Sequence, residues 1–123
     1  MKVQDILDAL SSSEIVEEVE VLILVQEPGR QALRAVATLA GGYVLSINEA
    51  LGRDFRRYSY HAQKEETMVR RWDNAPHWPD VKTFPHHLHI ESEKKVSECR
   101  EVFIEDLLNE MEAIIGLDVA DTS

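Results

Sequence analysis

The stretch Leu33-Arg34-Ala35-Val36-Ala37-Thr38-Leu39-Ala40-Gly41-Gly42-Tyr43-Val44-Leu45-Ser46-Ile47 decides the fold. Leu33, Ala35, Ala37 and Leu39 recur at every second position, and Tyr43, Leu45 and Ile47 resume the alternation after Gly41-Gly42. A period of two gathers those side chains on one face of a strand. A Gly-Gly pair supplies the positive φ angles of a tight hairpin turn. The stretch therefore predicts a β-hairpin with one apolar face.

Working outward, Val16 to Gln26 reads as another strand. Val19, Val21, Ile23 and Val25 share one face, while Leu22 and Leu24 lie on the other beside Glu18 and Glu20. Apolar residues on both faces predict a strand covered on both sides over part of its length. Pro28-Gly29 predicts a type II turn after it. Downstream, a strand from about Asp54 to Gln63 puts Arg57, Ser59 and His61 on one face and Arg56, Tyr58 and Tyr60 on the other. A charged turn leads to a strand from about Thr67 to Asp73. The prolines at 76, 79 and 85 mark Asn74 to Pro85 as a long loop, of a length that is usually functional in a compact domain. His87 to Ile90 reads as a short last strand.

Helical spacing is confined to the ends. Val3, Ile6, Leu7 and Leu10 make an apolar stripe that stops at Ser11-Ser12-Ser13. Ser97 reads as the cap of a C-terminal helix with the stripe Ile104, Leu107, Leu108, Met111 and Ile115, ending before Gly116. The expected fold class is α+β: an antiparallel β-meander of about six strands with an N-terminal and a C-terminal helix. One domain is expected over residues 1–117, with residues 118–123 a frayed tail.

A chain of 123 residues, 44% hydrophobic and 29% charged, suits one ordinary core and excludes a disordered or fibrous protein. No apolar run approaches the roughly 18–20 residues that span a bilayer. The N-terminus has no apolar signal core, so no membrane role and a cytoplasmic location are expected. A lone Cys99 allows neither an internal disulfide nor a cysteine-based zinc site. The net charge of −10 argues against a general nucleic-acid coat. That average hides a split. Residues 53–95 carry nine Lys/Arg against seven acids, for +2, and the rest of the chain carries −12. All five histidines and both tryptophans fall in the same window.

Within that window His86-His87-Leu88-His89 is the strongest local signal. On a strand, His87 and His89 share a face and His86 joins Leu88 on the opposite one. Two imidazoles at that spacing suit a metal, with His61 or Asp73 as a third ligand. Yet the spacing fixes no third ligand, so no tightly bound metal and no cofactor are expected. Histidine also carries protons near neutrality. RNA cleavage without a metal needs a base on the 2′-hydroxyl, an acid on the leaving 5′-oxygen and a cation on the phosphorane. Arg57 and His61 on one strand, with His87 and His89 on another, would fill those roles if the strands are close. Arg70 and Arg71 could hold phosphates, and Tyr58, Tyr60, Trp72 and Trp78 could stack bases. The plainer reading puts Tyr58 and Tyr60 in the core. In Trp72-Asp73-Asn74-Ala75-Pro76-His77, the Asp and Asn either bond the local backbone or position His77 and the His86–His89 run.

Three ordered motifs complete this reading: Arg56-Arg57-Tyr58-Ser59-Tyr60-His61, Arg71-Trp72-Asp73-Asn74-Ala75-Pro76-His77 and Thr83-Phe84-Pro85-His86-His87-Leu88-His89. Together they resemble the TumE family of small prokaryotic toxins, encoded beside an antitoxin in type II modules. The resemblance is close over residues 43–91 and looser over the preceding strands and the C-terminal helix. It implies a growth-inhibiting toxin neutralised by a partner protein, with Tyr58, His61, Asp73, Asn74, His77, His86, His87 and His89 as functional residues. Ribonuclease activity follows by analogy with other small toxins, although such toxins are usually basic and this chain is acidic overall. The expectation is thus a metal-independent endoribonuclease. Its catalytic set is His61, His87, His89, Arg57, Tyr58, Asp73 and Asn74. Arg56, Tyr60, Arg70, Arg71, Trp72, His77 and His86 would hold the substrate. The expected partners are RNA and a DNA-binding antitoxin, with a homodimer left open. The alternative is a non-catalytic module whose histidine face binds a protein or a metal ion.

Overall fold

The alternation at Leu33–Ile47 becomes two neighbouring strands in the computed structural model, which describes the backbone of residues 1–122 and the side chains of residues 1–120. In chain order the elements are α1 (Val3–Ser12), β1 (Val16–Glu27), β2 (Arg30–Leu39), β3 (Tyr43–Gly52), β4 (Arg56–Lys64), β5 (Thr67–Asp73), β6 (His87–Ile90), β7 (Val96–Glu98) and α2 (Ile104–Thr122). The strands form one antiparallel sheet in sequence order, β1 to β7. The fold is an α+β meander flanked by one helix at each end.

One face of the sheet is apolar because the period-two residues of each strand fall in register with the next. Ala35 faces Ile47, Ile47 faces Tyr60, and Tyr60 faces Trp72. Val3, Ile6 and Leu10 of α1 and Ile104, Leu107, Met111 and Ile115 of α2 are buried in the same core. The helix and sheet are also tied through polar groups, since the Val3 N–H donates to Gln31 Oε1 at 2.9 Å. At the β2–β3 turn both Gly41 and Gly42 hold positive φ, at 77° and 82°. Side chains other than glycine resist those angles, which explains the Gly-Gly pair.

Four expectations are corrected. The sheet has seven strands rather than about six. The extra one is β7, whose three residues are too few to show a period, and it exists because β6 offers its free edge. Ser97 therefore lies in a strand and caps no helix. The helix begins at Ile104, where Asp106 Oδ2 accepts the Phe103 N–H at 2.9 Å. At the other end α2 runs through Gly116 to Thr122. Segment 118–122, expected as a frayed tail, is its last stretch, and Asp118 accepts hydrogen bonds from Lys64 Nζ at 2.5 Å and Tyr43 Oη at 3.2 Å. The fourth correction concerns β1. It is the edge of the sheet, and Val21, Leu22, Ile23 and Leu24 are 44–52% exposed rather than covered. Only Val16 and Val19 of this strand pack against the core, and the pairing with β2 shifts register between Val21 and Ile23.

Candidate functional site

The face opposite the helices carries two polar rows that run across the sheet. One row is Arg34, Asn48, Ser59, Asp73 and His87, each residue paired with the next on adjacent strands. The second begins with Ser46 on β3 and continues through His61 on β4, Arg71 on β5 and His89 on β6. Antiparallel pairing alone achieves this, because residues directly opposite each other point to the same side. His61, Arg71, Asp73, His87 and His89 are thereby gathered from three strands onto one face.

Asp73 is the centre of the arrangement. It is buried with His87 and His89, each no more than 3% exposed. Its Oδ1 lies 2.8 Å from His87 Nε2 and accepts the Ala75 N–H at 3.0 Å. Its Oδ2 accepts from Arg71 Nε at 3.1 Å and lies 3.8 Å from His89 Nε2. The other nitrogen of each ring is fixed by backbone. His87 Nδ1 is 2.9 Å from the Pro85 carbonyl, and His89 Nδ1 is 2.9 Å from the Glu93 carbonyl. A carbonyl oxygen only accepts, so both rings carry hydrogen on Nδ1 and turn Nε2 toward the carboxylate. The rings meet edge to face with centroids 4.9 Å apart. Arg71 reaches outward to Glu93 Oε1 at 3.1 Å.

A cleft of about 260 Å³ opens over this cluster, with His77 and Trp78 of the long loop on its rim. Trp78 stands edge-on to His89 at 6.1 Å. A larger cleft of about 460 Å³ lies between α1 and the start of α2, but it has no histidine, cysteine or basic residue in its lining. Chemistry rather than volume picks out the smaller one. His61 sits on the same face, half-buried. Burial, then the Arg71 guanidinium, hold its pKa below the ordinary histidine value, while Glu93 pulls the other way.

The remaining candidates separate from this face. Arg57 is on it, exposed, farther along β4. Tyr58 and Tyr60 are buried in the helix-side core, as the plainer reading had it, and Trp72, read only as a stacking residue, is buried there too. Arg56 forms a bidentate pair with buried Glu49, at 2.5 and 3.2 Å, and Tyr60 donates to the same carboxylate. Burial opposes the charge on Arg56, but the bond and charge of Glu49 prevail and raise its pKa. Arg70 turns to the helix side, 3.5 Å from Glu110 of α2. His86 lies there too, its Nδ1 bonded to Tyr58 Oη at 2.8 Å. Asn74 is a backbone brace: its Oδ1 accepts the Tyr58 N–H at 2.9 Å, and its Nδ2 donates to the Arg56 carbonyl at 2.7 Å. Two residues were not singled out from sequence. Glu93 anchors both Arg71 and His89 from a turn, and Glu49 is a lone acid in an apolar strand pattern, which is a readable sign of a buried partner.

A family model described as Toxin TumE matches residues 5–115. The chain belongs to the TumE toxin family. Membership makes it a toxin, with an antitoxin as its partner class, and the match spans the whole sheet and most of both helices. No curated protein and no solved structure matches this TumE-family chain. Among the described residues no helix is long and apolar enough to cross a membrane.

Proposed function

We propose that this toxin is an endoribonuclease that works on the helix-free face of the sheet. The observation that carries the reading is the cross-strand row His61–Arg71–His89 beside the buried Asp73–His87 pair. His61 is the general base. Its lowered pKa leaves the ring neutral at pH 7, with a lone pair for the 2′-hydroxyl proton. The 2′-oxygen bonds to phosphorus, the bond to the 5′-oxygen breaks, and a proton delivered from the Asp73–His87–His89 cluster completes the leaving group. Arg71 faces the charge that develops on phosphorus, and exposed Arg57 extends the cationic track. Trp78 on the rim is the base-stacking group, in place of the buried tyrosines.

As written, this acid–base chemistry balances without a metal. Its RNA substrate places the work in the cytoplasm. The antitoxin, which we take to be a DNA-binding protein, inhibits by covering this face. A homodimer would use the exposed apolar edge of β1, since an unpaired strand edge with large apolar side chains is a template for another strand.

The test is a His61→Gln chain expressed with and without antitoxin. The enzyme reading expects growth arrest to be lost while the protein stays folded and still co-purifies with antitoxin. Loss of antitoxin binding with toxicity retained would favour the non-catalytic module instead.

A further inference from the structure

The Asp73 cluster has the form of a ligand set. His87 Nε2, His89 Nε2 and one carboxylate oxygen of Asp73 all lie within 4.8 Å of one another. Donor atoms about 2.0–2.2 Å from a common zinc-like ion at tetrahedral angles stand roughly 3–3.5 Å apart. His87 Nε2 lies 2.8 Å from Oδ1 and His89 Nε2 lies 3.8 Å from Oδ2 of the carboxylate, so one imidazole faces each oxygen.

The surroundings match as well. Metal-binding imidazoles usually donate their second N–H to a carbonyl or carboxylate, which fixes the tautomer and aims the free lone pair. Both rings do so here, to Pro85 and to Glu93. Nε2 of each ring is thereby turned toward the Asp73 carboxylate. In the ion-free chain a proton on Nε2 of His87 bridges the 2.8 Å contact, and a metal ion would take the place of that proton. A carboxylate has about four lone-pair positions. Ala75 N–H and Arg71 Nε occupy one on each oxygen of Asp73, so a position on each remains for that proton or the ion.

We propose that Asp73, His87 and His89 form a three-ligand site for a divalent first-row transition ion, with its open coordination positions facing the cleft of His77 and Trp78. Two imidazoles and one carboxylate suit zinc, iron, cobalt or manganese and not calcium, which prefers an all-oxygen shell. The open positions hold water, and a bound ion makes that water far more acidic. Resting on the endoribonuclease reading, the ion-bound water is the donor of the proton to the leaving 5′-oxygen, with His61 kept as base. Binding of the ion itself does not depend on that reading.

The test uses the purified full-length chain, stripped with a chelator and titrated with cobalt(II) and zinc(II) without RNA. The expected result is one equivalent bound per chain, with cobalt absorption bands in the visible. Asp73→Asn and His89→Gln each remove a ligand and should weaken binding by more than the roughly ten- to hundredfold that loss of an outer-shell partner costs, whereas His77→Gln should leave it unchanged. Nitrogen-15 spectra of unsubstituted protein make the test independent of variant folding: zinc should shift Nε2 of His87 and His89 alone. A folded chain that takes up no ion at about 0.1 mM, as expected if Asp73 and His87 are only an ion pair, overturns the site. So does zinc that shifts other histidines. Ion binding with no RNA cleavage would leave the site standing and sink the ribonuclease reading instead.

Discussion

Asp73 and His87 face each other across β5 and β6, and their side chains meet at 2.8 Å between Oδ1 and Nε2 in an almost completely buried position. The same carboxylate also fixes Ala75 and Arg71, so one residue holds a turn, a cation and a histidine. Asp73→Ala leaves each of these without its acceptor. A buried polar group that loses its partner costs about 1–3 kcal/mol, so the substitution should cost about 2–4 kcal/mol in all. Urea unfolding measures this, and a cost below about 0.5 kcal/mol would show that the cluster contributes nothing to stability.

Arg56 is expected to matter for folding rather than for RNA. Its guanidinium is the counter-charge of Glu49, whose side chain is fully buried. Arg56→Met strands that carboxylate and should cost about 3–5 kcal/mol. Adding Glu49→Gln should recover part of the loss, because the stranded charge is gone. Comparison of single and double variants by thermal unfolding checks both statements.

Asn74→Ala should loosen the start of β4. The side chain closes two backbone groups, the Tyr58 N–H and the Arg56 carbonyl. A loss of about 1–3 kcal/mol is expected. Amide exchange should accelerate at Tyr58 and leave Ile47, in the middle of β3, close to its original rate when corrected for global stability.

His61 should titrate by NMR below the ordinary histidine value of about 6.5. Burial disfavours its charged form, so in the folded chain the proton binds only at lower pH. The unfolded chain protonates first as pH falls below 6.5, and stability declines from there until the depressed folded pKa is passed. His61→Gln should flatten that part of the stability–pH curve. It should also remove the acidic limb of any cleavage profile, since only the neutral ring can act as base.

Ile23→Lys and Leu24→Lys, placed on the exposed run of β1, should each leave the fold intact and lower self-association. Charged residues on a free strand edge are a common block to pairing. Light scattering over a concentration series reads this directly. A monomer at all concentrations in the unsubstituted chain would remove the homodimer.

The meander could be read from the sequence because alternation at Leu33–Leu39 and Tyr43–Ile47 is local information. β7 could not, since Val96–Glu98 forms only when β6 presents its edge. The common face of His61, Arg71 and His89 followed from strand parity once neighbouring strands were in register. The same parity separates Arg70 from Arg71, one facing α2 and the other the cleft, although both were read as phosphate-holding residues from composition. Asp73 was a candidate from sequence, but spacing could not choose between it and His61 as the partner of the two imidazoles. Its motif reads as turn chemistry, and only the β5–β6 register sets its carboxylate between two imidazoles. That is why strand spacing alone fixes no third partner for the two imidazoles.

The central claim is that this face cuts RNA through the 2′-hydroxyl with His61 as base. The direct measurement is cleavage by the purified toxin, free of antitoxin, of an RNA oligonucleotide and its 2′-deoxy counterpart in the same buffer. The account predicts that the RNA alone is cut, that the fragment ends in a 2′,3′-cyclic phosphate, and that His61→Gln slows the step by about 10²–10⁴-fold. Equal cutting of both strands, or undiminished cutting by folded His61→Gln protein, would contradict it.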